Sequence, residues 1–89
     1  MLDVLFPLRG ESIVDLAIKI HRVLNQGTVS ITVKEVDVDT QNILILIEGA
    51  YIDFEKVKMA IEEEGGVIHS IDQVVVGDKI VDLPHYFIE

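Results

Sequence analysis

Apolar residues recur at every second position at the start of the chain, Leu2, Val4 and Phe6, before Pro7 breaks the pattern. A period of two predicts a short first strand. A loop over 7–11 leads to Ser12, a good helix N-cap, with Asp15 three residues on at the positive end of the helix. From there Ile13, Leu16, Ala17, Ile20, Val23 and Leu24 repeat at threes and fours, one apolar stripe on a first helix. Asn25 and Gly27 supply its stop. The period then returns to two, with Val29, Ile31 and Val33 between Ser30, Thr32 and Lys34. It resumes at Val36 and Val38, one residue out of phase, which predicts a β-bulge near Lys34–Glu35. The polar run 39–42 predicts a turn into a strand over 43–47. Asp53 is the second N-cap, with Phe54, Val57, Ala60 and Ile61 as the buried stripe and Gly65-Gly66 as the stop. A last strand is expected over 67–76, followed by a turn at Gly77-Asp78, a short extension at 79–81 and a tail over 84–89.

The resulting order is strand, helix, strand, strand, helix, strand, an α+β chain with an internal repeat of a strand–helix–strand half. A split βαβ sandwich satisfies it: a four-stranded antiparallel sheet with both helices on one face. Such a layer leaves its other face uncovered. A strand with one wet face should alternate, yet Ile43 to Ile47 are five large aliphatics in a row. With Ile43, Ile45 and Ile47 toward the helices, Leu44 and Leu46 point away, joined by Leu5 and one parity set of 67–76. Contiguous apolar patches beyond a few hundred Å² are rare on monomers, so a second subunit is expected to cover this face, with His69 at its margin. The alternative is a tail that folds back through Tyr86, Phe87 and Ile88.

Composition narrows the function classes. Eighty-nine residues are expected to make one domain, with a core over 2–76 and an extension over 77–89. Hydrophobic residues make up 49%, too many for a disordered acidic chain. Sixteen acidic against seven basic residues give a net charge of −9, which argues against a nucleic-acid partner. There is no cysteine, which removes disulfides, thiolate metal sites and thiol catalysis. No apolar run approaches a bilayer span and no signal peptide opens the chain, so a cytoplasmic protein without membrane contact is expected.

Three candidate sites follow from the residue types. Glu35, Asp37 and Asp39, with Asn42 and Glu48 nearby, are hard oxygen ligands for calcium or magnesium. The likeness to an EF-hand loop fails, because Asn42 stands where that loop needs glycine and its second half would be the strand 43–47. His69, Ser70 and Asp72 lie within four residues, but a triad packed into one strand is poor geometry, and an interface hydrogen-bond network is the better reading. Arg9, Gly10 and Ser12 precede a helix N-terminus, where a small anionic ligand would find free N–H groups; Glu11 opposes it. His21 reads as plain surface.

The stretches Leu2-Asp3-Val4-Leu5, Val29-Ser30-Ile31, Glu35-Val36-Asp37, Ile47-Glu48-Gly49 and Ile52-Asp53-Phe54 are similar to the archaeal domain-of-unknown-function family 211. The most specific match is Gly65-Gly66-Val67-Ile68-His69-Ser70-Ile71-Asp72-Gln73-Val74-Val75. The resemblance implies a ferredoxin-like fold and a homo-oligomer, and implies no activity or catalytic residue. Leu44 and Leu46 depart from it, standing where members commonly carry polar residues. The leading expectation is a non-enzymatic homo-oligomeric protein that binds a small ligand or divalent metal between subunits. An assembly or adaptor module comes second, and a small enzyme centred on His69 and Asp72 third.

Overall fold

The computed structural model describes residues 1–9 and 12–75. Its elements are β1 (Leu2–Pro7), α1 (Ile13–Leu24), β2 (Thr28–Val36), β3 (Thr40–Glu48), α2 (Phe54–Glu63) and β4 (Val67–Ile71). The strands form one sheet in the order β2-β3-β1-β4, with every pairing antiparallel. This is the ferredoxin-like α+β arrangement.

Local chemistry places each joint. The Ser12 hydroxyl accepts the Asp15 N–H at 3.2 Å, and the Asp15 carboxylate takes the Ser12 N–H in return at 3.4 Å. This capping box satisfies two N–H groups that the first helical turn leaves open. Asn25 ends α1 at φ 65°. Two residues on, Gly27 (φ +145°) passes so close to β3 that a Cβ would stand 2.5 Å from the Glu48 carbonyl oxygen. Asp53 caps α2 through the Lys56 N–H.

The core is built from Leu2, Val4 and Phe6 of β1, Ile43 and Ile45 of β3, Leu16, Ile20 and Leu24 of α1, and Val57, Ala60 and Ile61 of α2. One parity of the central strands thus meets both helical stripes in a single cluster, so both helices lie on one face. Among the described residues no polar side chain is buried whole.

The bulge lies where the phase shift predicts it. Val33 pairs with Ile43 and Glu35 with Asn42, so Lys34 is the extra residue. Three expectations are corrected. First, β3 begins at Thr40 rather than Ile43, and β2 stops at Val36, leaving Val38 in the turn. Second, Phe54 is the first residue of α2, is 37% exposed and stays outside the core cluster. Third, β4 ends at Ile71; among the described residues beyond it, the Asp72 N–H donates to the Met1 carbonyl and the Met1 amine donates to the Gln73 carbonyl. Lys19 ties the two helices together. It reaches across to α2, 2.7 Å from Glu64 and 3.6 Å from Glu63. The expected turn at Gly77-Asp78, the extension and the tail with Tyr86, Phe87 and Ile88 lie outside the described residues.

Candidate association surface on the outer sheet face

Sheet register decides which side chains face away from the helices. Leu2, Val4 and Phe6 pair with Ile45, Ile43 and Gln41 on the inner side, so Asp3 and Leu5 point outward with Leu44 and Asn42 opposite them. On the other flank Leu5 pairs with Val67, and Asp3 with Ser70. Ser30 and Thr32 of β2 stand opposite Leu46 and Leu44. The outer face therefore carries Leu5, Leu44 and Leu46 on its two middle strands, flanked by Val67 on the β4 edge and by hydroxyls on β2. Leu5 is 39% and Val67 60% exposed, while Leu44 and Leu46 are half-buried.

Within this apolar patch sits Asp3. Its Oδ1 is buried and has no hydrogen-bond partner among the described residues. Leaving such an acceptor unpaired costs about 1–3 kcal/mol, and more for a charged group. The parity of Leu2-Asp3-Val4-Leu5 puts the one acidic residue of β1 out of phase with the core and so on this face; its burial there comes from the neighbouring strands.

Beside Asp3, the Ser70 hydroxyl donates to the Asp72 carboxylate at 2.7 Å. Both are exposed, as is His69. The pairing jumps from Val4–Ile68 to Asp3–Ser70, so His69 is the extra residue of a second bulge. The three residues thus form a solvent-facing strand margin in which Ser70 is engaged by Asp72. The Met1 amine lies at this margin, its pKa pushed below the ordinary amino-terminal value by burial, with the Asp72 charge opposing the shift.

The other candidates are not assembled. Glu35 stands on the outer side opposite Asn42. The Asp37 carboxylate accepts the Val38 N–H at 2.8 Å, and the Asp37 N–H donates to the Thr40 carbonyl. The Asp39 carbonyl accepts the Leu8 N–H at 3.0 Å. Glu48 is carried to the far end of β3, roughly 26 Å away at about 3.3 Å per residue. Among the described residues no three acidic or histidine side chains gather into a metal-holding group. The helix N-terminus is likewise taken: the Asp15 carboxylate accepts both the Ser12 N–H and hydroxyl, occupying the place an anion would take. Arg9 is exposed, and Gly10 and Glu11 lie outside the described residues. His21 is exposed as expected.

No described helix is long and apolar enough to cross a membrane. The family model for the uncharacterized ArCR proteins, domain of unknown function 211, matches residues 1–88. The chain is also 44% identical over 82 residues to the uncharacterized protein MJ0319 of Methanocaldococcus jannaschii, covering 92% of this chain and 84% of that protein. A match across nearly the whole chain, on the fold that the resemblance implied, places this protein in the domain-of-unknown-function 211 family.

Proposed function

We propose that the protein is a non-enzymatic homo-oligomeric module in which a second copy covers the outer sheet face and a small ligand is held between the subunits. The observation that carries this reading is the apolar patch of Leu5, Leu44, Leu46 and Val67 with the unpartnered Asp3 oxygen inside it. Fully burying one leucine is worth about 1.5–3 kcal/mol, so covering several of them is a large term for a small domain. A partner that adds a donor to Asp3 removes a further cost. A hard cation, if it is the ligand, would need carboxylates from more than one subunit.

Light scattering with and without EDTA tests the association, and Leu44→Lys tests the surface. Association of the wild type, with the assembly mass reduced in a Leu44→Lys protein of native circular dichroism, is the expected outcome. A wild type that stays monomeric at high micromolar concentration overturns the reading. Thermal shift against amino acids, nucleotides and divalent ions tests the ligand; a bound ligand raises the melting temperature because it favours the native state. Retrieval of an unrelated protein by wild type but not by Leu44→Lys would favour an adaptor instead.

A further inference from the structure

A second surface has a chemistry of its own. β2 is an edge strand, paired only with β3 among the described residues. An edge strand presents a row of free N–H and C=O groups, and proteins usually guard such rows with charge, proline or a bulge. Here the guard is missing over most of the strand. The chain from Val23 to Val33 holds no charged residue, its longest such run, in a sequence that is 26% charged. Five of the six residues Thr28–Val33 are β-branched, the types best suited to strand pairing. The first charge, Lys34, is also the bulged residue.

The flank of α1 beside this edge is apolar as well. Val14 and Ile18, one helical turn apart, are 63% and 45% exposed. Ile18, Ala17 and His21 line a shallow groove of about 420 Å³ with Gly27, Thr28 and Val29. The helix turns its charge elsewhere, Lys19 being held by α2.

We propose that the β2 edge and this α1 flank form a second self-association surface, on which another copy adds its own β2 antiparallel and continues the sheet across a two-fold axis. Two features select a second copy as the occupant. Bodies of net charge −9 repel each other, so self-association favours the surface that carries no charge. The strand also complements itself. With the axis at Ile31, Val29 meets Val33 of the partner subunit on the helix side, and Ser30 meets Thr32 of the partner subunit on the outer side. Apolar pairs with apolar and hydroxyl with hydroxyl, until the Lys34 bulge twists the strand away. Because the inner faces stay continuous, both α1 flanks lie on the same side of the joined sheet. Combined with the outer face, this edge makes an assembly larger than a dimer.

The absence of cysteine makes the register directly testable, since an introduced thiol finds a partner only on another copy. Ser30 and Thr32 are both exposed, so Ser30→Cys and Thr32→Cys proteins keep the fold. Mixed and mildly oxidised, they should give severalfold more disulfide-linked dimer than either alone. Cross-linking that is equal in all three samples, or absent, overturns the proposal. Thr32→Lys should also halve the assembly mass seen by light scattering, and an unchanged mass counts against it. Adding Leu44→Lys separates the two surfaces: the mixed cross-link should persist when the outer face is spoiled.

Discussion

At the residue scale, three glutamates in a row at the negative end of α2 make little sense by themselves, since helix ends favour cations there. Lys19 from α1 supplies the cation, and its hydrogen bond to Glu64 is the chief reason its pKa lies above lysine's ordinary 10.5. A raised folded-state pKa stabilises fully below the unfolded value and fades as pH climbs through the folded one. Urea midpoints should therefore show wild type above Lys19→Met at pH 9, with the gap closing at higher alkalinity; a gap that widens would contradict the pairing. Gly65 and Gly66 differ in kind. Gly65 has φ +91°, so alanine there meets backbone strain of about 1–2 kcal/mol. At Gly66 a Cβ would stand 2.7 Å from Ile61 Cγ2 and 3.2 Å from Phe6, an overpacking of about 1–3 kcal/mol. Both losses should appear in equilibrium unfolding.

At the scale of elements, caps and bulges decide registers. Ser12→Ala removes the acceptor for the Asp15 N–H and should cost about 1 kcal/mol in thermal or urea unfolding. The Lys34 bulge gives a sharper test. Removing Lys34 leaves Val33 opposite Ile43 and Glu35 opposite Asn42, a regular ladder with every facing kept. Removing Thr32 instead forces Val29 and Ile31 out of phase with Ile47 and Ile45. The second deletion should be the more damaging by about 2 kcal/mol, roughly one buried aliphatic side chain. Equal midpoints for the two deletions would mean that the bulge does not set the register.

At the scale of the whole molecule, charge and apolar surface oppose each other. A protein of net charge −9 that associates through aliphatic faces should associate more tightly as salt rises, because screening weakens the repulsion and leaves the burial intact. Sedimentation equilibrium across a salt series should show a severalfold lower dissociation constant at high ionic strength. Weakening by salt would point instead to an interface built on ion pairs.

The periods of two and three to four were enough to order all six elements, and the phase slip at Lys34 was enough to locate the bulge, because burial imposes its periodicity on the chain one residue at a time. The same logic put Leu44 and Leu46 on the outer side. Partners distant in sequence were beyond it. Nothing local tells Lys19 to prefer Glu64 at the end of α2 over Asp15 on its own helix, or sets the end of β4 at Ile71. The acidic residues of the β2–β3 hairpin read as a ligand set on paper, but the strand carried Glu48 away from them. The unpartnered Asp3 oxygen and the uncharged β2 edge emerged only once the strands were laid in order. Local pattern determines which face of an element is apolar; only the tertiary arrangement decides which of those faces, and which strand edge, is left without a neighbour.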